Sequence, residues 1–217
     1  MLSTSVVVLD FETTGLSPRG GDRITEVAAL RVRDGRVVDR YVTLVNAGVR
    51  IPSFITGLTG ITNDMVASAP PARRVIRELV TFLADDLVVA HNASFDHGFL
   101  RAERDHAGLS DREYRTLCTM RLARRLTPGL RSYKLSVLAA HLRVTYRGAA
   151  HRAEADAQVT VDVLHRLADD VVERHRLSTL DPELLRQVTG WPARDVPTKL
   201  TQILRRDTPP RRVAHRW

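Results

Sequence analysis

Cysteine is nearly missing from this 217-residue chain, where Cys118 stands alone. One thiol closes no internal disulfide, which excludes a disulfide scaffold and suits a reducing compartment; a cytoplasmic location is expected. Cys118 itself reads as a small buried hydrophobe. Long apolar runs are missing as well. None approaches the roughly 18 residues needed to cross a bilayer, so no membrane partner is expected. The opening MLSTSVVVLDFE lacks the basic region and cleavage site of a secretory leader. No internal repeat or low-complexity tract occurs. Lysine is scarce, at Lys134 and Lys199 only, so arginine carries the positive charge.

What is present has globular proportions, 43% apolar and 27% charged. The length suits one domain of about 150–200 residues plus an extension. Lys and Arg total 33 against 25 Asp and Glu, a net charge of +8. Such a balance favours a polyanionic partner. The arginine bias of a GC-rich genome gives the same balance, so charge alone does not decide. The most basic stretch is Arg205 to Trp217, with five arginines against Asp207.

Residues 5–10 read as a strand apolar on both faces, Val6 and Val8 on one and Val7 and Leu9 on the other. Ile24 to Val45 reads as a hairpin turning at Asp34-Gly35. Residues 46–62, with glycines, threonines and Pro52, read as loop. Pro70 to Asp86 has helical spacing in Val75, Ile76, Leu79, Val80 and Leu83. Leu87 to Asn92 reads as a short buried strand, and Ser94 as the cap of a helix reaching about Ala107. Residues 117–126 read as a strand end and a helix, KLSVLAAHLRV as a second helix, and Ala153 to His175 as a long one. This order predicts an α/β domain with a mixed sheet over residues 1–176. Residues 177–217 read as a basic extension with one or two short helices and a mobile end.

Asp10 and Glu12 share one face of the first strand, about two rises of 3.3 Å apart. Such a pair repels itself near a core unless a cation joins it or the strand has already run into water. Asp96 follows the later strand, where a helix-terminal charge is the plain alternative. His151 and Asp156 lie five apart, about 140° off one another on a helix. His151 therefore belongs in the preceding loop and Asp156 in the first turns. Glu154 competes with Asp156, and Asp162 reads as a surface charge.

The set DFETTG, HNASFD and HRAEAD, in this order, resembles the three motifs of the DEDDh exonuclease family. That family includes the proofreading epsilon subunit of bacterial DNA polymerase III, RNase T and oligoribonuclease. The resemblance spans about residues 5–170 and implies an RNase H-like fold, with the mixed sheet flanked by helices. It implies metal-binding carboxylates at Asp10, Glu12, Asp96 and Asp156, and a general base at His151. Hard oxygen donors suit two Mg²⁺ or Mn²⁺ ions rather than zinc or copper. Family likeness places Asp10 between both ions, Glu12 and Asp156 on one, and Asp96 partly through water.

The implied reaction is 3′→5′ hydrolysis of terminal phosphodiesters in DNA, RNA or both, releasing nucleoside 5′-monophosphates. Substrate contacts are implied at Thr13, Thr14, Gly15, Asn92 and Phe95, with Leu16 as a wedge under the last base; core packing is the alternative for Leu16 and Phe95. Thr59, Gly60 and Ile61 match a family segment in which histidine is frequent at the position of Thr59. A polymerase subunit is a further implied partner, through Trp191 and Gln202 to Leu204 unless these pack back on the domain. An RNA-processing exoribonuclease, a non-catalytic nucleic-acid-binding module, and another RNase H-like phosphotransferase are the alternatives.

Overall fold

The computed structural model describes residues 2–146, 148 and 150–207. The basic stretch after Asp207 lies outside the described residues. Valine, leucine and isoleucine dominate the first strands, and their alternation builds a two-faced sheet. Strand β1 is Val6–Thr13, β2 Ile24–Arg33 and β3 Arg36–Leu44. The β2–β3 hairpin turns at Asp34 and Gly35, both with positive φ (51° and 72°), as this turn chemistry requires.

Three helices follow: α1 (Ser53–Thr59), α2 (Asn63–Ala67) and α3 (Ala72–Leu83). Strand β4 (Leu87–Ala90) leads into α4 (Ser94–His106), and β5 (Thr116–Cys118) into α5 (Thr119–Leu126). Next come α6 (Leu135–His141), the long α7 (Ala153–His175), α8 (Pro182–Val188) and α9 (Val196–Asp207). The sheet order is β3-β2-β1-β4-β5, antiparallel among the first three strands and parallel for β1–β4 and β4–β5. The mixed sheet and flanking helices expected from the sequence are therefore present.

Each face of the sheet carries its own core. Val6, Val8, Ala28, Leu30 and Leu117 pack with Ala157, Val161, Leu164 and Leu167 of α7. Val7, Leu9, Phe11, Val27 and Ala29 pack with Val75, Ile76 and Leu79 of α3 and Phe99 of α4. Period-2 alternation thus puts Asp10 and Glu12 on the face that α7 covers.

Several boundaries differ from expectation. Pairing with β2 carries β1 past the expected end at Asp10 to Thr13, so Glu12 also lies inside the strand. Residues 46–62 are not all loop. Ile51, Ile55, Ile61 and Val66 bury one another in a small satellite core, which holds α1 and α2 despite weak local propensity. Ser94 is the first residue of α4 and not its cap. Ala93 takes the cap position without a side-chain bond, because Asn92 turns the chain at φ 65°.

The stretch after residue 176 supplies Leu180, Leu185, Val188 and Leu200 to the same core as β1, and Leu2 pairs with Leu180. Trp191 and Ile203 pack against it too, so these side chains fold back on the domain. Among the described residues no helix is long and apolar enough to cross a membrane. Leu185 is fully buried. Its replacement by alanine is expected to cost about 2–5 kcal/mol. Urea denaturation checks this, and an unchanged midpoint would make residues 177–207 a separate unit.

Candidate active site

A carboxylate on a central strand stays where the strand holds it. Asp10 and Glu12 project from β1 toward the N-terminal turns of α7, where Asp156 sits. One oxygen from each of Asp10, Glu12 and Asp156 falls within 4.8 Å of the others, a spacing that a hard divalent cation bridges. Among the described residues this is the one such group.

Asp96 stands outside this triad. It is buried in the first turn of α4, and its Oδ1 accepts the backbone N–H of Phe11 at 3.3 Å. It approaches β1 from the β4 side of the sheet and still raises the pKa of Asp10.

The motif histidine and aspartate take the expected places. His151 lies before α7 in a left-handed turn (φ 62°), with its side chain exposed. Its N–H donates to Oδ2 of Asp156 at 3.2 Å, and the Tyr146 hydroxyl donates to Oδ1 at 2.5 Å. Glu154 points elsewhere and pairs with exposed Arg40 at 2.8 Å. Of the two competing acids, Asp156 is the one at the cage.

The TTGL turn is tied to Asp22. Its carboxylate accepts the Thr14 hydroxyl at 3.2 Å and the Ser17 N–H at 2.9 Å. A Cβ on Gly15 would meet those oxygens at 2.5 Å, so this close approach requires glycine. The result holds Leu16 84% exposed, outside any core.

Phe95 is half-buried and packs on Phe99 with ring centroids 4.9 Å apart, which favours the packing alternative. Asn92 is exposed at its turn. The Thr59 hydroxyl is committed to Ile55 O and Ile61 N–H, and Ile61 is buried in the satellite core. These two side chains face inward. Gly60 closes α1 in left-handed backbone.

Sequence motifs missed Glu26, Arg152, Tyr146 and Asp22. Glu26 lies directly across the β1–β2 ladder from Glu12, is 3% exposed, and receives Arg152. An acid within the apolar run ITEVAAL was its only sequence signal. Tyr146 and Arg152 gave none, because Tyr146 itself lies in a loop and the partner of Arg152 is 126 positions away.

The crowded acids resist ionisation. Burial, then Asp96, Asp156, Glu12 and Glu26, push Asp10 well above the usual carboxylate range. Burial first, then Asp156 and Glu26, raise Glu12 to about 8, with Arg152 opposing. Burial raises Asp96 to about 7, against hydrogen bonds from its own N–H and that of Phe11. Oxygen donors, a short separation and mutual repulsion fit a divalent cation, which would relieve the repulsion.

Fold and carboxylate cluster together fit a nuclease domain. The chain matches the family profile RNase_T, described as exonuclease, over residues 7–164, and it belongs to that family. It is 38% identical over 165 residues to the 3′-5′ exonuclease DinG of Bacillus subtilis, covering 74% of this chain and 18% of that protein. It is 36% identical over 174 residues to a PolC-type DNA polymerase III of Halalkalibacterium halodurans, covering 80% and 12%. The chain thus spans less than a fifth of both proteins. The solved structure of Exonuclease X in complex with 5′ overhanging duplex DNA superposes with a TM-score of 0.67. Identity there is 28%, over 85% of this chain and 99% of that one.

Glu12 titrates near 4.5 when unfolded and about 8 when folded. Between those values the folded site holds the extra proton, so without metal stability falls as pH rises. Thermal denaturation in chelator is expected to show Tm falling from about pH 5 to about pH 8. Added Mg²⁺ flattens that slope, and so does Glu12→Gln.

Proposed function

We propose that the chain is a metal-dependent 3′→5′ exonuclease that removes nucleoside 5′-monophosphates from the 3′ ends of DNA. The observation that carries this reading is the convergence of Asp10, Glu12 and Asp156 within 4.8 Å at the end of β1. Membership of the exonuclease family and likeness to DinG support the direction of attack. The duplex with a 5′ overhang bound to Exonuclease X supports DNA with a recessed 3′ end as substrate.

Asp10, Glu12 and Asp156 would hold two Mg²⁺ or Mn²⁺ ions, with Asp96 acting partly through water. Divalent ions at such a site polarise the phosphodiester and acidify a bound water. His151, exposed beside Asp156, takes the proton of the attacking water. The water oxygen bonds to phosphorus and the bond to the preceding 3′ oxygen breaks. A 5′-monophosphate departs, and the shortened strand keeps a 3′-hydroxyl. Exposed Leu16, on a turn fixed by Asp22, wedges under the terminal base, while Thr13, Thr14 and Gly15 support that turn. Asn92, exposed at the mouth of α4, and the backbone at Gly60 complete the substrate surface.

The resemblance to a PolC-type polymerase supports proofreading or repair in the cytoplasm, with a polymerase subunit as partner. A purely binding module is disfavoured, because it has no need of converging acids that raise one another's pKa.

5′-labelled single-stranded DNA, recessed duplex DNA and RNA, each with Mg²⁺ or Mn²⁺, test the reading. A ladder shortening from the 3′ end of DNA is expected. Digestion of closed circular DNA, or of RNA alone, would contradict it. Asp10→Asn and Asp156→Asn are expected to abolish the ladder. His151→Ala should lose about a hundredfold or more in rate while metal binding persists.

A further inference from the structure

We propose that Glu26 and Arg152 act as a pair of positioning residues. They seat the first turn of α7 on the sheet and keep the charge beside Glu12 balanced for cation binding. This role rests on the metal-dependent reading above and adds two residues that lie outside the motif acids and histidine.

The geometry points to both halves of the role. Glu26 is buried on β2, and its carboxylate accepts three donors. Arg152 Nη2 lies 2.7 Å from Oε1, Arg152 Nε 3.1 Å from Oε2, and the Ala153 N–H 2.9 Å from Oε2. Ala153 is the first residue of α7, and Arg152 holds its cap position without a side-chain cap of its own. A strand residue 127 positions away in sequence therefore caps the helix. One turn further along, the Asp156 N–H bonds to Arg152 O at 3.0 Å. In the β1–β2 ladder Glu26 faces Glu12. One carboxylate thus ties the element bearing Asp156 to the position bearing Glu12.

Charge supplies the second half. Glu26 adds a negative charge next to Asp10 and Glu12, and Arg152 adds a positive one next to Glu12. Together they cancel. Neutralising Glu26 leaves a guanidinium that competes with a divalent cation. Neutralising Arg152 leaves an extra carboxylate that assists one. A mere packing clamp has no such asymmetry: losing either partner loosens the same helix end.

The test measures Mn²⁺ binding to the full chain by the paramagnetic resonance of free Mn²⁺, beside Tm. Glu26→Gln is expected to weaken Mn²⁺ binding about three- to tenfold. Arg152→Gln should bind as tightly as wild type or more tightly, and the double variant should return toward wild type. Arg152→Lys keeps the charge but loses the fork, so it should lower Tm while holding Mn²⁺ affinity. This arm also serves if Glu26→Gln fails to fold. Equal weakening by Glu26→Gln and Arg152→Gln in step with Tm, or no change in either, overturns the pair's charge role. Wild-type protein that binds Mn²⁺ but releases no nucleotide removes the exonuclease reading, while the opposite shifts still support the pair. Wild-type protein that binds no Mn²⁺ overturns both.

Discussion

Asp10 and Glu12 repel each other from fixed positions on the strand at the centre of the sheet. β1 is hydrogen-bonded to β2 on one side and to β4 on the other. Val6 and Val8 lock one face under α7, while Val7, Leu9 and Phe11 lock the other. The strand cannot bend away to separate its acids. Burial first, then the nearby Asp156 and Glu26, keep Glu12 protonated up to about 8, and a cation at the site relieves the same crowding. The proposed exonuclease reading and the proposed cation site both start from that constraint.

Each remaining acid reaches the strand by its own route. Asp156 comes from the helix that covers the acidic face, held by Tyr146 and by the backbone of His151. Asp96 comes from α4 and is anchored on the backbone of Phe11. Both acids approach the same end of β1, from the first turns of α7 and α4. Away from that end, the same two faces are filled with valine, leucine and alanine. Stability and chemistry therefore occupy different lengths of one strand, and the residues after 176 reinforce the stable part.

Much of this was legible in the sequence where the signals were local. Alternation in VVVLDFE fixed the faces, Asp34-Gly35 marked the hairpin, and the five-residue step from His151 pointed to Asp156 over Glu154. Helices α1 and α2 were not legible. Pro52, Gly57 and Gly60 read as loop, yet mutual burial of Ile51, Ile55, Ile61 and Val66, with the Thr62 hydroxyl capping α2, makes short helices hold there. Glu26 stood out in no motif, because its partner Arg152 lies 126 positions away in the chain. Thr59 to Ile61 matched a family segment among the implied substrate contacts, yet packing turns two of those side chains inward.

Asp10, Glu12 and Asp156 are proposed to form a cation cage. This is tested most directly by crystals soaked in Mn²⁺ and measured for anomalous scattering at the manganese edge. A strong peak bounded by the carboxylates of those three residues is expected. A peak at Glu154 and Arg40 instead, or an empty cage at saturating Mn²⁺ and neutral pH, would contradict it.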